Sequence, residues 1–170
     1  MDLATTMTHI LAAALVLHMT NFSGAPPAVV HQAQEEVTRV YERIGVPLEW
    51  DGTADGAAIR IVLLPYETGD LRHVQNRVMG AAVRTPNGNA VAYVYYRRVQ
   101  AEAERYEVST SLVLACAIAH ELGHLLLPER AHALTGLMRA CWSRVEFQRA
   151  EQGQLQFLPD DVARIRAGLQ

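Results

Sequence analysis

His120, Glu121, His124 and His132 lie close together in a chain that is otherwise half hydrophobic. His120 and His124 are four residues apart, so on a helix their rings leave from one face, where neutral imidazole nitrogens can ligate a tetrahedral Zn²⁺. Glu121 follows the first histidine directly, within reach of a metal-bound water but outside the ligand set. The pattern is H-E-x-x-H. Three protein ligands leave the metal a fourth position for water, whose pKa falls towards neutrality while the ion polarises a carbonyl. Glu121 would take the proton as water attacks and deliver it to a leaving amine, giving hydrolysis without a covalent intermediate.

The motif needs a helix, and the preceding residues supply one. Leu112 to Ala119 is an unbroken apolar run, which predicts a buried helix over about Thr110 to Leu126, capped by Ser109 or Thr110. Two histidines and a glutamate on such a helix are costly unless something satisfies them, and a metal would; the competing reading is a buried helix whose histidines are satisfied by other groups. Pro128 ends the helix, so the chain turns after Leu127 and His132 can come back towards the first two histidines. The rival third ligand is Glu146, on a following helix predicted over Ser143 to Gln152 with Ser143 as its cap. Glu129 reads as a solvated turn residue, and His73 as an exposed histidine outside the site.

The rest of the chain predicts an α/β arrangement that presents this helix. Leu15 to Phe22 reads as a first strand, and Pro26-Pro27 opens a helix whose Val30, Ala33, Val37, Val40, Tyr41 and Ile44 form one apolar stripe closed by Gly45. Pro47 to Trp50 is a short strand. Ile59 to Leu64 is apolar enough for an interior strand covered on both faces. Gly80 to Thr85 and Ala90 to Tyr96 flank a turn cluster: the first suits a sheet edge, the second an interior position. Arg97 to Glu107 is a charged, helical connector, and Pro159 to Leu169 a final amphipathic helix.

Composition narrows the function classes. The formal charge is −3 and the longest basic run is Arg97-Arg98, so nucleic acid is not an expected partner. All fifteen basic residues are arginine, which excludes Schiff-base and phosphate-loop lysine chemistry. Cys116 and Cys141 are too few for a disulfide scaffold; Cys116 reads as a core thiol, and a bridge between the two stays open. The apolar run Ile10 to Leu17 is too short to span a membrane, and Met1 to Ser23 is a poor signal peptide because its first residues hold Asp2 and no arginine. Residues 1–14 are therefore expected to be a leader or a disordered start, and residues 15–170 a single catalytic domain, monomeric, with an upper part over 15–126 and a lower part over 127–170.

H-E-L-G-H, a third histidine after the helix breaks, and Gly136-Leu137-Met138 together resemble the metzincin zinc peptidases, in particular the matrixin-like branch and a group of small bacterial proteins reading H-E-x-G-H-L-L-L, a delayed histidine and G-I-M-R. The resemblance covers residues 15 to 142. It implies a small, mostly parallel mixed sheet with an edge strand, a packing helix, a central active-site helix and a C-terminal helical subdomain. It implies His120, His124 and His132 as zinc ligands, Glu121 as general base and Met138 as an apolar floor under the metal. Gly80, Ala81, Ala82, Val83 and Arg84 match the edge strand that binds an extended peptide antiparallel. It also slightly favours an extracytoplasmic location. Two features depart from the family: His132 falls eight residues after His124 instead of six, and Leu127-Pro128 stands where the family turns at glycine. The function implied is a zinc-dependent metalloendopeptidase; the alternatives are a non-catalytic zinc or peptide-binding protein on the same scaffold, which would not need Glu121, and a zinc amidase.

Overall fold

Leu15–Asn21 forms β1, the first strand of a five-stranded sheet with the order β2-β1-β3-β5-β4. The other strands are β2 (Leu48–Glu49), β3 (Ile59–Leu64), β4 (Gly80–Arg84) and β5 (Ala90–Tyr95). All neighbours run parallel except β4, which pairs antiparallel with β5 and closes one edge. The computed structural model describes residues 14–50, 52–53, 56–66, 78–128 and 132–169. The readings for His73, for Glu129 and for nearly all of the leader fall outside these residues.

Among the described residues there are five helices: α1 (Pro27–Arg43), α2 (Tyr96–Tyr106), α3 (Thr110–Leu126), α4 (Arg144–Glu151) and α5 (Pro159–Gly168). Pro27 starts α1 where its missing amide costs nothing, and Gly45, at φ +71°, turns the chain out of it. The predicted apolar stripe packs inward, with Ala33, Val37, Tyr41 and Ile44 buried. The molecule is thus a mixed α/β fold with a mostly parallel sheet, and no helix among the described residues is long and apolar enough to cross a membrane.

Helix α3 is the hub. It packs against α1, α2, β4 and β5, and every residue from Val113 to Gly123 is buried. Tyr41 of α1 donates its hydroxyl to Ala119 O at 3.0 Å, fixing the helix one residue before His120. One expectation fails: β3 is flanked by strands on both sides, but its residues alternate, with Ile59, Ile61 and Leu63 buried and Arg60, Val62 and Leu64 only partly covered. A continuous apolar run does not require two covered faces when the outward positions are only half-shielded.

Candidate metal centre

Helix α3 begins and ends where the sequence predicts, although not by the predicted cap. Ser109 occupies the N-cap position, but its hydroxyl bonds the Ser111 hydroxyl at 2.6 Å and caps no helix amide. At the other end, Leu127 turns extended, at ψ 140°, and donates its amide to Gly123 O at 2.9 Å. The Arg84 guanidinium, reaching over from β4, donates to Leu125 O and satisfies one of the carbonyls left over at the helix end.

The chain re-enters at His132 and is tied into a tight turn. Ala133 donates its amide to Met138 O at 2.9 Å, and Leu137 donates to Gln156 O at 2.9 Å. Gly136 sits between them at φ +78°, and a Cβ there would come within 2.9 Å of Gln156 O, so glycine is needed on both counts. This turn holds His132 beside α3, eight residues after His124.

His120, His124 and His132 each offer a ring nitrogen, and the three atoms lie within 4.8 Å of one another, close enough to bind one metal ion. His124 Nε2 and His132 Nε2 are 3.2 Å apart. Two nitrogens on a tetrahedral ion at the usual Zn–N distance would be separated by about 3.3 Å, which the His124–His132 pair matches. No protein-family model and no curated protein matches this chain. The donor atoms themselves therefore carry the assignment of a metal site.

The surroundings suit the rings to ligation. His120 Nδ1 donates to Leu137 O at 2.9 Å; a carbonyl can only accept, so the proton sits on Nδ1 and the Nε2 lone pair is left for a cation. Burial pushes His120 down to about 4, against the pull of the Leu137 carbonyl and with the help of the two neighbouring histidines, so the ring is neutral at physiological pH. Trp142 meets His120 edge to face at 5.4 Å, and His132 stacks on it at 5.3 Å. Exposure rises from buried His120 through half-buried His124 to exposed His132, so the group opens to solvent on one side.

Glu121 is buried beside the histidines, and no described residue donates a hydrogen bond to it; burial alone pushes its carboxyl up to about 8. Its side chain lies flat against Gly80, where an added Cβ would come within 2.7 Å of Glu121 Cγ, Glu121 Oε1 and Tyr93 O alike. Met138 is 1% exposed, and a Cβ on Gly123 would meet its sulfur at 2.5 Å. The glycine of H-E-L-G-H is there because the methionine packs against the bare helix backbone. Both glycine contacts escaped sequence reasoning, whose only signal for the second was the glycine inside the motif.

A cleft of about 310 Å³ opens over the group. Gly80, Ala81 and Ala82 of β4 form one wall, and Arg139 to Trp142 the other. Of the five predicted edge-strand residues, these three face the cleft; Val83 does not line it, and Arg84 spends its side chain on the end of α3.

Two open alternatives close. Glu146 is not the third ligand: one carboxylate oxygen accepts from Arg139 at 2.6 Å, the other from the Ser143 amide at 2.7 Å and the Ser143 hydroxyl at 2.6 Å. It completes a capping box at the start of α4, and Ser143-x-x-Glu146 was the sequence signal for that role. Nor do the cysteines pair: Cys116 is a buried thiol, pushed up to about 12 mainly by burial, and Cys141 is exposed in the cleft wall.

Proposed function

We propose that this chain is a zinc-dependent metallopeptidase with metzincin-like architecture, cutting peptide or protein substrates. The observation that carries the reading is Glu121: a buried carboxyl group without a hydrogen-bond donor among the described residues, set beside three convergent histidines in an open cleft. A protein that only stored or bound zinc has no use for such a group, and a carboxyl desolvated this far without a donor among the described residues is a cost that function must justify.

His120, His124 and His132 would hold the ion. Zinc so bound supplies Lewis acidity, acidifying water and polarising a carbonyl. The chain's own residues do the rest. The Leu137 carbonyl fixes the His120 tautomer and ring direction. Glu121 takes a proton on its carboxylate and, once protonated, returns it to the departing amine; a nearby cation would lower its raised pKa and favour the form that accepts. Met138 and Trp142 keep the inner side of the histidines apolar. The outer edge of β4, with its partner β5 on the other side, offers main-chain groups to an extended peptide.

The test is metal content together with hydrolysis of a mixed peptide library by wild type and Glu121→Ala. Zinc is expected in both, and cleavage by the variant is expected to fall at least roughly a hundredfold. If zinc-loaded wild type and variant cleave equally, or neither cleaves, the peptidase reading fails and a non-catalytic binding module takes its place. His132→Ala is expected to lose zinc; a variant that keeps full zinc would remove His132 from the ligand set.

A further inference from the structure

The cleft does not end at the histidines. It continues past Ala117, one helical turn before Glu121, to Glu102 on α2, with Met79 and Trp142 as flanking walls. Apart from Glu102 this extension is apolar, and the Glu102 side chain is 16% exposed. A carboxylate at the end of an apolar channel attracts a cation. Among the described residues its charged neighbour is Arg105, at 3.9 Å, beyond hydrogen-bond length, and the Arg105 guanidinium lies over the Tyr106 ring at 5.6 Å. The other two charged groups lining the cleft are already placed: Arg139 is held by Glu146 at 2.6 Å, and Glu121 sits against Gly80.

The direction of a bound peptide follows from the elements once it adds antiparallel to β4, as the metzincin resemblance implies. Strand β4 runs alongside α3 with Gly80 beside Glu121 and Arg84 beside Leu125, so its start faces the Ala117 and Glu102 end of the cleft. A peptide added antiparallel to β4 therefore enters near Arg84 and leaves past Gly80. Its residues on the carboxyl side of the bond over Glu121 lie towards Glu102.

We propose that Glu102 makes this cleft select substrates with arginine or lysine immediately on the carboxyl side of the bond that is cut. The aliphatic stem of such a side chain lies along Ala117, Met79 and Trp142, and its charged head donates to Glu102 at hydrogen-bond length, which Arg105 at 3.9 Å does not. The proposal rests on the peptidase reading for the words "bond that is cut", while the binding of a cation by Glu102 does not.

Two measurements test it. The first is cleavage of a peptide library by zinc-loaded protein, with the new amino termini sequenced. Wild type is expected to favour arginine and lysine there by about tenfold or more over leucine and methionine; Glu102→Gln should lose that preference, and Glu102→Arg should shift it towards acidic residues. Cleavage without a basic preference, a basic preference on the amino side of the bond, or one that survives Glu102→Gln would overturn the proposal and leave the peptidase reading standing. The second measurement is titration of metal-free protein with butylguanidinium, followed by tryptophan fluorescence. Glu102→Gln is expected to bind at least about tenfold more weakly than wild type. Equal binding overturns the proposal even if no peptide is ever cut, and that second failure would sink the peptidase reading separately.

Discussion

Glu121 and Glu146 are each only 7% exposed, yet their surroundings push their carboxyl groups in opposite directions. At Glu121 burial acts alone and raises the pKa to about 8. At Glu146 burial also pushes upward, but the Ser143 hydroxyl and amide and the Arg139 guanidinium outweigh it and hold the carboxyl below its ordinary range. One carboxylate is finished by its neighbours and does structural work. The other is left incomplete next to three histidines. Burial alone does not distinguish a working acid from a structural one; the number of donors around it does.

The contrast can be broken most sharply at Glu121. Glu121→Gln is expected to lower peptide hydrolysis by roughly 10² to 10⁴-fold without loss of stability, as judged by initial rates and thermal melting. Next comes Gly80→Ala, whose Cβ would be 2.7 Å from both the Glu121 side chain and the Tyr93 carbonyl. Neither contact can stand, so Glu121 must move and β4 must shift off the Tyr93 carbonyl; activity should drop by about tenfold to a hundredfold while zinc content holds.

Glu146→Ala should do the reverse of Glu121→Gln. It should cost about 2 kcal/mol of stability through the lost cap and charge-assisted bonds, measured by denaturant unfolding, and leave zinc content unchanged. Its pH dependence follows from sign: a carboxyl lowered in the folded state contributes stability above its unfolded value of 4.5 and loses it as pH falls through the lower folded value. Wild type should therefore lose stability in that acid range faster than the variant. A variant with the same acid limb as wild type would show that the Glu146 network contributes nothing.

How much of this was legible in the sequence depended on how local the cause was. The boundaries of α3, the three histidines and the edge position of β4 follow from periodicity, spacing and a proline, all written within a few residues. The identity of Glu146 was equally local, since Ser143-x-x-Glu146 is a capping box, and weighing it as a ligand overlooked that nearer use. The roles of Gly80 and Gly123 were out of reach because each answers to a side chain far along the chain or on another element. The same holds for Arg84, which closes a helix forty-one residues later. Half-shielded β3 shows the limit of reading burial from an apolar run.

The short turn at Gly136 ties the first histidine to the far end of the chain. His120 Nδ1 bonds Leu137 O, and the Leu137 amide bonds Gln156 O, so a ring on the central helix is joined through one residue to the segment before α5. In terms of hydrogen exchange, the Leu137 amide should open with α3 as one cooperative unit and not with surface turns. Loosening the segment around Gln156 would then release the ring and the turn together, so that the order of this site and the order of the C-terminal segment rise and fall as a single quantity.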